Sequence, residues 1–88
     1  MHQVLVSRDF QKQFNGLTAD IQNRVRKALK CLEEDPIRPR SGADIKSLEG
    51  TNPQKYRIRV GDYRIVYLVQ GQTVKVLEIF IRGRDYRA

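Results

Sequence analysis

The side chains able to do chemistry are crowded into the C-terminal part of the chain, from Lys55 onward. Lys55, Arg57 and Arg59 recur at every second position, Arg64 follows five residues later, and Arg82, Arg84 and Arg87 surround Tyr86 with Asp85 as the only acid among them. Guanidinium groups offer planar, forked donors that match phosphate oxygens, and a tyrosine ring can stack on a base. The chemistry implied is recognition of a nucleic-acid strand, through phosphate contacts and stacking on a base; the plainer reading of the final arginines is a frayed basic tail. Metal chemistry is a poor fit, because His2 is the only histidine and Cys31 the only cysteine. No zinc site, internal disulfide or cofactor is expected, and Cys31 reads as a packing residue at the edge of a helix stripe.

The charge balance agrees. Seventeen lysines and arginines against ten acids leave a formal +7. The excess is uneven: up to Asn52 there are nine basic residues against seven acids, and beyond it eight against three. A polyanionic partner is therefore expected, bound by the C-terminal half. Eighty-eight residues with 40% hydrophobic content make one small domain, 1–88, with a single core. No apolar run is long enough to span a membrane, and Met1-His2-Gln3 lacks the cationic start of a secretory leader, so no membrane partner and a cytoplasmic location are expected.

Elements must hold those side chains in place. Val4 to Val6 form a short β-prone run, and Ser7 is placed to cap a helix carrying Phe10, Phe14 and Leu17. Asn15-Gly16 ends it, and Thr18 caps a second helix with the stripe Ile21, Val25, Ala28, Leu29, Leu32, closed by Asp35-Pro36. Leu17 sits where a hydrophobic staple would. Residues 37–53 are rich in proline and glycine and are given no regular structure. Tyr56, Ile58 and Val60 then alternate with the basic residues, Gly61-Asp62 makes a turn into Tyr63 to Val69, and Gly71-Gln72 a second turn into Val74 to Ile81. The fold class predicted is α+β: an antiparallel sheet packed on one face by an N-terminal helical hairpin, in the order β-α-α-β-β-β.

A two-residue loop at Gly61-Asp62 puts Arg59 directly across from Arg64. Like charges so opposed disfavour folding by roughly 1 kcal/mol. A bound anion would turn that repulsion into two charge-assisted contacts, and Arg57 extends the same row. The plainer reading is a solvated strand face. Parity adds a condition: if Gly71-Gln72 is a clean two-residue loop and nothing else intervenes, Arg64 faces Ile79, Arg82 falls on the wrong face and Glu78 is buried. A bulge or an odd loop is therefore predicted, bringing Glu78 and Arg82 to the face of Arg64.

Leu48-Glu49-Gly50, the string from Lys55 through Gly61-Asp62-Tyr63-Arg64-Ile65-Val66-Tyr67, and the ending Ile81-Arg82-Gly83-Arg84-Asp85-Tyr86 resemble the RelE/ParE toxin superfamily. The resemblance runs over nearly the whole chain, and its most specific part is the stretch from Gly61 to Tyr67. It implies a compact sheet covered on one side by a helical hairpin. For a RelE-like member it implies cleavage of messenger RNA in the ribosomal A site, by metal-independent attack of a ribose 2′-hydroxyl on the adjacent phosphate. By position, Arg57, Arg59, Arg64, Arg82 and Tyr86 would be the catalytic set, with Lys55, Arg84 and Arg87 as RNA contacts. Arg64 and Arg82 would hold the scissile phosphate, and Tyr86 would orient the nucleotide and take part in proton transfer.

The chain departs from the best-known pattern in having Arg57 and Arg59 where lysines stand. An arginine stays protonated near neutral pH, so neither serves as general base; a tyrosine base would need its pKa, ordinarily about 10, lowered by the cations around it. Glu49, on the loop before the strand, reads as a surface residue. The resemblance also implies a cognate antitoxin as partner, besides the ribosome with its messenger and ribosomal RNA. An acidic or amphipathic segment would neutralise the basic surface, with the sheet edges and an exposed side of Val66, Leu68, Val74 and Val76 as apolar docking surface. Two other readings stand: a ParE-type member that binds DNA gyrase without nuclease activity, and a non-catalytic relative that docks on RNA.

Overall fold

Two hydroxyls start the two helices. In the computed structural model, which describes residues 1–81, strand β1 (Gln3–Val6) runs into helix α1 (Arg8–Asn15), where the Ser7 Oγ accepts from the Phe10 amide at 3.0 Å. Helix α2 (Ala19–Glu34) begins where the Thr18 hydroxyl accepts from the Ile21 amide at 3.4 Å. Both satisfy donors that a helix leaves unpaired at its first turn. At the other end of α2 the Arg40 guanidinium donates to the carbonyls of Cys31 and Asp35, at 2.9 and 3.0 Å. It satisfies acceptors at the negative end of the helix, so this cation is committed to the fold.

Four further strands follow: β2 (Asp44–Leu48), β3 (Lys55–Val60), β4 (Tyr63–Gln70) and β5 (Thr73–Ile81). They join β1 in one sheet ordered β1-β5-β4-β3-β2. The α+β class and the helical layer are as the sequence predicts, with two differences. The segment given no regular structure contributes β2, antiparallel to β3 along the edge of the sheet. In addition, β1 pairs parallel to β5, which makes the sheet mixed.

The core lies between the helices and one face of the sheet. Phe10, Val25, Ala28 and Leu32 meet Ile45, Ile58, Val60, Ile65, Tyr67, Val74, Val76 and Ile79, all buried. The spacings 25, 28 and 32 put α2's residues on one helix face, and the strand residues follow the two-residue alternation. Val74 and Val76 thus belong to this core, and Val66 is 1% exposed. The apolar docking surface expected of those valines is not there; Leu68 alone of the four is partly exposed. Tyr67, fully buried, donates its hydroxyl to the Pro36 carbonyl at 2.6 Å and ties the segment after α2 to the sheet centre. Burial, with no water to solvate a phenolate, pushes its pKa well above the ordinary value.

The predicted irregularity exists. The Gly71-Gln72 loop is clean, with Gln70 opposite Thr73 and Gly71 at a φ of 60° that glycine adopts without strain. Between Val66 and Tyr67 the register slips: Val66 faces Glu78, whereas Tyr67 faces Val76. Leu77 is the extra residue, so Glu78 and Phe80 share the face of Arg64 and Val66.

Candidate nucleic-acid interface

The face of the sheet turned away from the helices carries the cations. Their order follows from the ladder. Asp44, Arg59, Arg64 and Phe80 lie across the four strands in one row; Lys46, Arg57, Val66 and Glu78 form the next; Leu48, Lys55, Leu68 and Lys75 the third. The opposition of Arg59 to Arg64 is as predicted, and it brings Arg57 to the same face.

Arg57 and Arg59 are not left to repel Arg64 alone. Arg57 donates through Nη1 to the Asp44 carbonyl at 2.9 Å and to the Asp44 Oδ1 at 3.1 Å. Arg59 Nη1 lies 3.9 Å from the Asp44 Oδ2. One carboxylate on the edge strand therefore spans two of the arginines. Arg57 is drawn in, its side chain 19% exposed, whereas those of Arg59 and Asp44 are 38% and 55% exposed. Next to them opens a cleft of about 470 Å³ lined by Lys46, Ser47, Leu48, Glu49, Arg57 and Arg64. Three cations and one carboxylate on a shallow wall suit an extended anionic strand better than a small apolar ligand.

Of the residues singled out from sequence, Lys55, Arg57, Arg59 and Arg64 are thus brought to one face. Arg82, Arg84, Tyr86 and Arg87 lie outside the described residues. Glu49, read as a surface residue, is exposed but lines the cleft with Arg57 and Arg64. Asp44 and Lys46 were missed, because the prolines and glycines around them hid a strand. The signal was present in the alternation of charged Asp44 and Lys46 about the buried Ile45. Among the described residues no group of three or more His, Cys, Asp or Glu side chains is placed to hold a metal, and no helix is long and apolar enough to cross a membrane.

A family model described as the ParE toxin of type II toxin-antitoxin systems, parDE, matches residues 4–86. Among solved structures, the chain is similar to one from the archaeal RelE-RelB complex of Pyrococcus horikoshii OT3, at 32% identity and a TM-score of 0.82, covering 96% of this chain and 98% of that one. It is also similar to a chain of the RelB-RelE antitoxin-toxin complex of Methanococcus jannaschii, at 26% identity and a TM-score of 0.72, with 88% of each covered. The intact RelBE toxin-antitoxin complex of E. coli shares the fold, at 23% identity and a TM-score of 0.77, covering 96% of this chain and 100% of that chain. In direct sequence comparison no curated protein matches.

Proposed function

The chain belongs to the RelE/ParE superfamily and is a toxin of a type II toxin-antitoxin system, and from that premise we propose that it is a ribosome-dependent endoribonuclease that cuts messenger RNA in the A site. The observation that carries the reading is the gathering of Arg57, Arg59 and Arg64 on the sheet face turned away from the helices, beside a cationic cleft. Like charges opposed on one sheet face disfavour folding, and a phosphate between them would turn that cost into charge-assisted contacts.

The reaction is an attack of the 2′-oxygen on the neighbouring phosphorus. The 2′-O–P bond forms, the P–O5′ bond breaks, and the products are a 2′,3′-cyclic phosphate and a 5′-hydroxyl. The 2′ proton leaves to a base, and the departing 5′-oxygen takes up a proton. Extra negative charge builds on the phosphoryl oxygens in between, and fixed guanidinium donors stabilise that charge without having to reorganise. Arg64 and Arg82 are assigned to the scissile phosphate, Arg57 and Arg59 to the strand and the added charge. Tyr86 is assigned to stacking and proton transfer, and Lys55, Arg84 and Arg87 to flanking RNA. No metal takes part.

A cognate antitoxin is the second partner. The relatives from Pyrococcus horikoshii and Methanococcus jannaschii were solved in complex with RelB, and a +7 chain is neutralised by an acidic wrapping segment. One observation favours the gyrase reading: the family model that matches is the one described for ParE.

Translation of a defined messenger by purified ribosomes, with new 5′ ends mapped by primer extension, decides between them. The expected result is cuts at A-site codons, reduced about 10² to 10³-fold by Arg64→Ala and Arg82→Ala and lost with Tyr86→Phe. Absence of cuts by folded protein, with inhibition of gyrase supercoiling, would establish the second reading.

A further inference from the structure

We propose that Asp44 is a built-in substitute for an RNA phosphate, a positioning residue that occupies Arg57 and Arg59 in the free toxin and so sets the face against loose single strands. The inference rests on the reading of this face as the RNA site.

Three observations point the same way. In the ladder Arg57 stands opposite Lys46, not Asp44, so its side chain must run diagonally to reach the carboxylate. It arrives there with two contacts to one residue, at 2.9 and 3.1 Å. The two carboxylate oxygens are then divided between two arginines, Oδ1 to Arg57 and Oδ2 toward Arg59. A phosphodiester has the same unit charge and likewise two oxygens to share, so it can take the place of Asp44 without changing the charge around the arginines. Exchange is open, because the Asp44 and Arg59 side chains are 55% and 38% exposed.

The consequence is a threshold. A free strand must displace Asp44 before it gains two arginine contacts, which lowers its affinity. A strand already held beside the face, as on a ribosome, acts at high effective concentration and fills the site regardless. Asp44 thereby favours presented RNA over free RNA. The second contact of Arg57, to the backbone carbonyl of Asp44, survives any side-chain replacement and keeps the guanidinium near the cleft.

The test is binding of a ten-nucleotide 2′-O-methyl oligouridylate, which has no free 2′-hydroxyl and cannot be cut, followed by fluorescence anisotropy across a sodium chloride series. Asp44→Asn keeps an acceptor for Arg57 and removes the charge. Asp62→Asn, an exposed turn residue with no ion pair among the described residues, makes the same change in net charge and serves as the control. Asp44→Asn is expected to bind about five- to thirty-fold tighter than the parent, with a salt slope steeper by about 0.7 for each arginine released. Asp62→Asn should change affinity by less than about threefold, and adding Arg57→Gln and Arg59→Gln should abolish the gain. Equal affinities of the two single variants, weaker binding by folded Asp44→Asn, or no binding by either at low salt would overturn the proposal. Cutting on ribosomes is a separate readout, so failure of the nuclease reading leaves the binding comparison standing.

Discussion

Ser7 donates its hydroxyl to the carbonyl of Leu77 at 2.6 Å, joining the first residue after β1 to the extra residue of the β5 bulge, seventy positions away. The same oxygen accepts from the Phe10 amide and caps α1. A little further along, the Gln13 Oε1 accepts from the Ile79 amide at 2.9 Å. β1 ends at Val6 opposite Val76, so beyond that point the edge of β5 has no strand beside it, and α1 supplies the missing partners. The bulge in turn decides that Glu78 and Phe80 share the face of Arg64.

Removing that hydroxyl should therefore cost two hydrogen bonds at once. Ser7→Ala is expected to destabilise the protein by about 1–3 kcal/mol in urea unfolding, through the lost cap and the unsatisfied carbonyl. Ser7→Thr, which can make both bonds, should stay within about 0.5 kcal/mol. Ser7→Asp keeps a cap acceptor but has no proton for Leu77 and should not rescue. Recovery by aspartate would show that the bulge does not need the serine.

Stability and activity should separate at Arg59. Its contact with Asp44 is long and half-exposed, and it faces Arg64 across the strands. The favourable and unfavourable charge terms are each about 1 kcal/mol or less. Arg59→Gln is thus expected to shift unfolding by no more than about 0.5 kcal/mol while cutting on ribosomes falls at least about tenfold. A large loss of stability with full cutting would reverse the assignment.

Tyr67 makes a prediction at alkaline pH. Tyr67→Phe should cost about 1–2 kcal/mol, because the Pro36 carbonyl loses its donor in a buried place. The parent's tyrosine has its folded pKa raised above the unfolded value. The stability it contributes is whole below the unfolded pKa of about 10 and declines as pH rises beyond it toward the folded pKa. The gap between parent and Tyr67→Phe should close above about pH 10. A gap that stays constant to pH 11 would show that folding does not raise the pKa of this phenol.

Asp35 predicts the opposite window. Its Oδ1 accepts from the amides of Ile37 and Arg38 at 3.0 and 3.1 Å, and these bonds hold the carboxyl below its ordinary 3.8. A depressed folded pKa contributes stability that is present above the unfolded pKa and lost as pH falls through the folded one. Relative to Asp35→Asn, the parent should keep a constant advantage above about pH 5 and lose it progressively below about pH 4. Chemical unfolding of both proteins across that range reads it directly.

How much of this was legible beforehand can be seen residue by residue. Ser7 and Thr18 announce their helices because a capping hydroxyl acts within three residues. Arg59 meets Arg64 because a two-residue loop at Gly61-Asp62 leaves one register. Even the bulge was inferable, since without it Glu78 would be buried with no partner. All of these are consequences of local chain geometry or of a cost that the residue types alone impose, and they set the class of fold and the basic face. Other features depend on segments distant in the chain. The strand at Asp44–Leu48 is stabilised by its ladder to β3 and not by its own proline- and glycine-bounded surroundings. The parallel pairing of β1 brings Gln3 to Thr73 across most of the chain. The diagonal reach of Arg57 to Asp44 exists only once β2 lies at the sheet edge. The types and spacing of the residues determined by themselves that Arg57, Arg59 and Arg64 share a face; only tertiary structure decided that Val74 and Val76 would be core and which carboxylate would stand among the arginines, because a strand with weak local preference takes its place from the partner it pairs with.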